Sequence, residues 1–300
     1  MLNRRHFLAG AGALVCGTAL ARAADWRSQY PELTFAVVPA ENATGVSDRY
    51  AAFMDYLAKQ FGVPVKLRIA NDYAAVIEGQ RAGNIQIAYY GPASYSKAYF
   101  TGVKTEPFVT TRNNDGAIGY YSVIYVKTDS PYEDVHDLKG KTIGFVDPNS
   151  TSGYNAPRFY LHKIGIEVDS FFGKSIITGS HENGVIALEK GTVDCADWWN
   201  ADNDSNLTRM VTKGMAKRKD FRIIFKSGLL PGSPYAYLSD LPDDLKKAIA
   251  FTEAPSKDKA SFDRLSDGKD KEFVPVTHKD YVDIVEMIQY VDDMRKKKGN

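Results

Sequence analysis

Lys141-Thr-Ile-Gly-Phe-Val146 runs directly into Asp147-Pro148-Asn149-Ser150-Thr151-Ser152-Gly153-Tyr154. The first run is short and apolar, which reads as a buried strand. Asp, Pro and Asn mark a turn, and Tyr154, Phe159, Tyr160 and Ile164 then recur with helical spacing. Three consecutive hydroxyls therefore sit where a strand hands over to a helix. The first amides of a helix lack internal partners and carry about half a positive charge, so this junction can receive an anion. An ordinary helix cap needs only one Ser or Thr. That plainer reading stands until the rest of the chain is considered.

Outward from this junction the pattern alternates. Leu33–Val38, Val65–Ile69 and Ile85–Tyr90 read as strands, each followed by a helical pattern through Tyr50, Phe53, Met54 and Leu57, through Tyr73 to Gly79, and beyond Gly91. Tyr121–Val126 is a longer, Tyr-rich strand. A second set of alternations follows, with Ser175–Thr178, a helix from Glu182 to Glu189, Val193–Ala196 and Phe221–Phe225. Strands alternating with helices predict parallel α/β layers, with ligands at the carboxyl ends of strands and at helix N-termini. The chain after the first 23 residues exceeds a usual single core. It divides into lobe 1, 24–120 plus 232–300, and lobe 2, 121–231, joined near Tyr120 and near Gly232. The last segment, to Met294, reads as helices.

Arg4-Arg5-His6-Phe7-Leu8 precedes a weakly apolar, Ala- and Gly-rich stretch ending in Ala21-Arg22-Ala23. A charged pair, an apolar stretch and a small-residue cleavage site in this order describe a twin-arginine export signal over residues 1–23, cut near Ala23. Its apolar run falls short of the about 20 residues that span a bilayer, so the expected location is the periplasm. Removing Arg4, Arg5 and Arg22 takes the formal charge from +1 to −2. No basic face points to nucleic acid. Of the two cysteines, Cys16 leaves with the signal. Cys195, between small apolar neighbours, reads as a buried core residue without an intramolecular disulfide. Export, two lobes with a cleft and no catalytic motif together describe a solute-binding protein that closes by a hinge.

Several segments carry a resemblance in order along the chain: Ala70-Asn-Asp-Tyr-Ala-Ala75, Ile87-Ala-Tyr-Tyr-Gly91, Gly119-Tyr-Tyr-Ser122, Asp147-Pro-Asn-Ser-Thr-Ser-Gly153, Gly179-Ser-His-Glu182 and Leu230-Pro-Gly-Ser-Pro234. Over most of residues 30–240 the chain resembles the phosphonate-binding proteins of ABC importers. The resemblance implies a two-lobed, type II periplasmic binding fold with the ligand in the interlobe cleft and two hinge crossings. It implies ligand contacts at Tyr73, Tyr120, Ser150, Thr151 and His181, with Ser152, Tyr90, Trp198, Asp202 and Ser233 as further candidates. In the pairs Tyr89-Tyr90 and Tyr120-Tyr121, neighbours point to opposite faces, so at most one of each lines the cleft. The partners implied are a phosphonate-type small anion and the membrane permease and ATPase of an importer. The protein is expected to be a monomer or weak dimer, to need no cofactor and not to be an enzyme.

The substituent pocket departs from the family pattern. Members that take aminoethylphosphonate hold its ammonium with acidic side chains, and the corresponding positions here are Ser233 and Ala201, with Asp202 beside the latter. Trp198 or Trp199 is expected to wall this pocket. Phosphite, methylphosphonate and phosphate would share the same oxygen-gripping residues. A ferric-binding protein is disfavoured because the tyrosines are dispersed and Ser-Thr-Ser offers poor metal ligands. An exported hydrolase of phosphorus compounds is disfavoured because His136, His162, His181 and His278 show no metal-ligand spacing and there is no Gly-x-Ser-x-Gly.

Overall fold

A computed structural model describes residues 25–201, 204–249 and 251–298. The signal segment 1–23 and Asp202 lie outside the described residues. Twelve strands occur among them: β1 Leu33–Val37, β2 Val65–Ile69, β3 Ile87–Tyr89, β4 Thr105–Asn113, β5 Tyr121–Lys127, β6 Thr142–Phe145, β7 Lys174–Ile177, β8 Cys195–Ala201, β9 Asp204–Ser205, β10 Phe221–Lys226, β11 Tyr235–Leu238 and β12 Asp270–Pro275. They form two sheets. One has the order β12-β4-β11-β3-β1-β2, and the other β10-β5-β8-β6-β7 with β9 added to β8.

Each sheet is parallel where a helix returns the chain, β1 with β2 and β3, and β6 with β7 and β8. Each is antiparallel where a strand enters or leaves by a crossing segment, as in β5 with β8 and β10, and β11 with β3 and β4. The sheets are thus mixed rather than wholly parallel. Only strands joined by a helical crossover are forced to run the same way.

The sequence changes sheet twice, between β4 and β5 and between β10 and β11. The two crossings lie side by side. Tyr120 and Leu230 exchange backbone hydrogen bonds of 3.1 and 2.8 Å, making a two-stranded hinge. Gly119 has φ 118°, and a Cβ there would lie 2.3 Å from the Leu230 carbonyl. A glycine is required for the crossings to touch.

Two apolar layers flank the first sheet. The helix Ala43–Phe61 brings Phe53, Met54 and Leu57 against Phe35, Phe251 and Phe273 on one face. The helices Tyr73–Arg81 and Pro92–Phe100 cover the other. The second sheet is sandwiched between the helix Ala156–Lys163, with Phe145, Leu161 and Cys195, and the helices His181–Glu189 and Asn206–Thr212, with Trp198, Leu207 and Met210. Cys195 is buried and free.

The sequence reading assigns 232–300 wholly to lobe 1, but the final helix Val282–Lys298 packs against both lobes. Its Ile284, Met287 and Ile288 join Ala93 of the first lobe with Ala156 and Phe159 of the second, and Val291 enters the second core. Strand β12 also replaces part of a tail read as helical. With Phe273 as its one buried residue, its pattern is too weak to signal a strand, and pairing to β4 supplies the order.

Candidate functional site

The Ser150–Tyr154 junction forms as a cap and an unusual first turn. Ser150 is extended, and its hydroxyl accepts from the Gly153 amide at 3.1 Å. The turn Thr151–Asn155 is π-helical, closed by the Asn155 amide on the Ser150 carbonyl at 3.1 Å, and leads into the helix Ala156–Lys163. A one-turn π segment widens the helix start and often marks a functional site. Gly153 is needed here, because a Cβ would meet Val146 Cγ2 at 2.4 Å and the Ser150 hydroxyl at 2.8 Å.

Three helix N-termini of the first lobe reach across to the second. The Ala93 amide, opening Pro92–Phe100, donates to the Thr151 hydroxyl at 2.8 Å. The Tyr73 amide, opening Tyr73–Arg81, donates to the Asp147 carboxylate. Asn42, capping Ala43–Phe61, gives its amide and its side chain to Glu182 Oε2 at 2.8 and 2.7 Å. The His181 amide adds a bond to the Ala40 carbonyl at 3.2 Å. The lobes are closed on one another.

Between them lies a cavity of about 160 Å³. Tyr73, Tyr120, Ser150, Thr151, Ser152, His181 and Ser233 all line it. The Tyr73 phenol hydrogen-bonds Ser150, and the Tyr120 phenol lies within reach of Thr151, Ser152 and Ser233. Burial raises both phenols well above their ordinary range, so they stay protonated donors. His181 is 3% exposed, and burial, opposed weakly by Glu41, lowers its imidazole to about 3. The ring is therefore neutral at neutral pH. Its Nδ1 is buried without a hydrogen-bond partner among the described residues. His181 shares this cavity with the hydroxyls of Ser150, Thr151 and Ser152 at the helix start.

Two further candidates, Tyr90 and Trp198, direct their rings into the core. Tyr90 borders the cavity, but its ring is fully buried behind the sheet and its hydroxyl meets Gln80 Oε1 at 3.0 Å. Strand alternation turns its neighbour Tyr89 inward instead, where it meets the Tyr235 ring at 4.6 Å and hydrogen-bonds Ser233. Trp198 is also a core residue, fully buried and stacked on Tyr125 at 4.0 Å. Strand β8 continues past Ala196 to Ala201, so alternation sends Trp198 into the core and brings Trp199 to the cavity. Tyr121 likewise faces away from the cavity, with the Lys226 ammonium 3.7 Å from its ring centroid.

A charged wall that the sequence reading did not anticipate closes the other end. Glu41, 6% exposed, binds Arg49 at 2.9 Å, Arg209 at 3.0 Å and Lys213 at 3.4 Å. Arg209 also grips Asp204 at 2.6 Å and lies over the Trp199 ring. Glu41 and Arg49 belong to the first lobe and Arg209, Lys213 and Asp204 to the second. The only sequence signal for this network is charge within apolar patterns, which usually means a solvated face.

The comparisons with known proteins agree with this architecture. The family model described as "ABC transporter, phosphonate, periplasmic substrate-binding protein" matches residues 35–281. The phosphonates-binding periplasmic protein of Escherichia coli is 33% identical over 74% of this chain, and the match spans 65% of that relative, just under two thirds of its length. The phosphate-import protein PhnD of Mycolicibacterium smegmatis is 31% identical over 99% of both chains. A binding protein component of a Pseudomonas aeruginosa ABC phosphonate transporter superposes with a TM-score of 0.78 at 26% identity, over 87% of this chain and 88% of that one. With two lobes closed on a hydroxyl-lined cavity and residues 35–281 matched by the family model, the chain belongs to the phosphonate periplasmic substrate-binding proteins of ABC transporters.

Proposed function

We propose that this chain captures a phosphonate, or a closely related phosphorus oxyanion, between its lobes and delivers it to the permease and ATPase of an ABC importer. The observation that carries this reading is the gathering of Ser150, Thr151, Tyr73, Tyr120 and the neutral His181 ring, its Nδ1 unpartnered among the described residues, on one interlobe cavity. A phosphonate group offers three oxygens to these donors. Hydrogen bonds to an ionised acceptor are about twice as strong as neutral ones, so no lysine or arginine is needed at the oxygens. The Ser150–Tyr154 helix start adds its dipole. Ser152 and Ser233 contribute through the Tyr120 hydroxyl network, and of the two tryptophans expected to wall the pocket Trp199 takes the role.

The protein acts by binding and closure, not by catalysis. The Arg4-Arg5 segment is read as the signal that sends it through the twin-arginine route, with cleavage near Ala23. Phosphite and phosphate present the same oxygens, and the relative named as a phosphate-import protein aligns along nearly its whole length, so both belong in the test. Residues 24–300 are unfolded, dialysed, refolded and titrated by calorimetry with methylphosphonate, phosphite, phosphate and sulfate. Saturable one-to-one binding of a phosphorus oxyanion is expected. Heat from none of the phosphorus compounds would overturn the reading.

A further inference from the structure

The π turn Thr151–Asn155 leaves one carbonyl without a backbone donor. Its bonds span five residues: the Asn155 amide closes on the Ser150 carbonyl at 3.1 Å, and the Ala156 amide on the Thr151 carbonyl. By the same spacing the Ser152 carbonyl would look to residue 157, which is Pro157 and has no N–H. The Ala156 amide is already taken. Ser152 is 2% exposed, and a buried carbonyl without a donor is costly. A side chain fills the gap: the Ser122 hydroxyl donates to the Ser152 carbonyl at 2.8 Å.

Ser122 reaches that carbonyl from the hinge. It is fully buried and lies two residues beyond Tyr120 on an extended run, so the two side chains leave the same face. The Tyr120 phenol lies within reach of Thr151 and Ser152, while the Ser122 hydroxyl meets the backbone of the same turn. Directly opposite Ser122, across β5 and β8, is the cavity residue Trp199. The second crossing fixes the backbone of Ser122. Its amide donates to the Ser227 hydroxyl at 2.9 Å, and its carbonyl accepts from the Ser227 amide at 2.9 Å. One buried hydroxyl therefore ties the turn to both strands near the points where the chain changes lobes.

We propose that Ser122 is a positioning residue for ligand capture, whose hydroxyl holds the widened turn in the shape that presents Thr151 and Ser152 to the oxyanion. Both residues line the cavity, and the first amides of such a turn have no internal acceptors. Without the Ser122 hydroxyl, the Ser152 carbonyl gains a donor only if the Ala156 amide leaves Thr151 for it. That exchange tightens the turn to α-helical spacing and shifts Thr151 and Ser152. Ser122 does not line the cavity and acts only through the turn. This inference rests on the phosphorus-oxyanion reading above, and the two fail differently.

The test is calorimetric titration of wild type and variants with methylphosphonate and phosphite. Ser122→Ala should weaken the better-bound probe by about 10-fold, the worth of one buried hydrogen bond. A merely structural serine would lower the melting temperature and leave affinity unchanged, and that result would overturn the proposal. Pro157→Ala restores an amide for the Ser152 carbonyl. In that background, loss of the Ser122 hydroxyl should weaken binding by less than about 3-fold, and the same loss in both backgrounds would overturn the proposal. If Ser122→Ala does not fold, Ser122→Thr and Ser122→Val decide, because they share one shape and differ only in the hydroxyl. The first should bind about 10-fold more tightly than the second, and equal affinities would overturn the role of Ser122. No binding of either probe by wild type would overturn the oxyanion reading and this inference with it.

Discussion

The Thr151 hydroxyl in the second lobe accepts a 2.8 Å hydrogen bond from the Ala93 amide in the first. The same hydroxyl lies within reach of Tyr120 at the hinge and lines the cavity. It therefore joins the proposed ligand site to lobe closure. Replacing it by Thr151→Val keeps the size but leaves the Ala93 amide unpaired. Affinity for a phosphorus oxyanion should fall by about 1–3 kcal/mol, and scattering should show a more open protein at a subsaturating ligand concentration. Wild-type affinity in a folded variant would remove this loop from the site.

Glu41 holds the opposite side of the closure. It is the common partner of Arg49, Arg209 and Lys213, and two of those three come from the other lobe. Glu41→Gln leaves the guanidinium groups with less negative charge around them. Removing one member of a buried ion pair costs about 3–5 kcal/mol, divided here between stability and closure. Stopped-flow measurements should show a faster ligand off-rate with a smaller change in on-rate. An unchanged off-rate would mean that the network is only structural.

His181 gives the protein an acid sensitivity with a definite sign. Its folded-state value, about 3, lies below that of an ordinary histidine. Between about 6.5 and 3 the unfolded chain takes up a proton that the folded chain refuses. Stability is therefore lost as pH falls through that window, by on the order of 2 kcal/mol at pH 4.5. Melting temperatures from pH 7 to 4.5 should fall more steeply for wild type than for His181→Asn. Parallel curves would contradict a buried neutral ring.

Asp197 behaves in the opposite way. It is fully buried in the second lobe, neither carboxyl oxygen has a partner among the described residues, and burial raises its carboxyl well above the usual range. The unfolded chain releases this proton above about pH 4 and the folded chain does not, so the group destabilises the fold increasingly as pH rises. Asp197→Asn should raise the melting temperature at pH 7.5 and have little effect near pH 4. A lower melting temperature at pH 7.5 would show that the charged form is held by a partner.

Ser150, Thr151 and His181 each read alone as a helix cap or a surface residue, and only the resemblance, carried by segments in order along the chain, singles them out; all three line the cavity. Tyr89 and Tyr90 could be divided between the two faces of β3 but not assigned, since period two gives alternation without direction. Trp198 and Trp199 could not be told apart either, because β8 runs on through both; alternation sends Trp198 to the core and leaves Trp199 for the cavity. Glu41 was invisible: it is an ordinary charge until closure brings Arg209 and Lys213 of the other lobe to it, and closure depends on contacts between residues more than a hundred positions apart, such as Asn42 with Glu182.

The most direct test of the central claim follows the His181 ring itself. Histidine-labelled protein is observed by nitrogen NMR while the oxyanion that binds most tightly by calorimetry is added, with His181→Asn identifying the signal. A neutral ring whose Nδ1 finds its partner in the ligand should shift stoichiometrically with the calorimetric saturation, while the signals of His136 and His162, 64% and 42% exposed, stay in place. Saturation with no change at His181 would contradict the site described here.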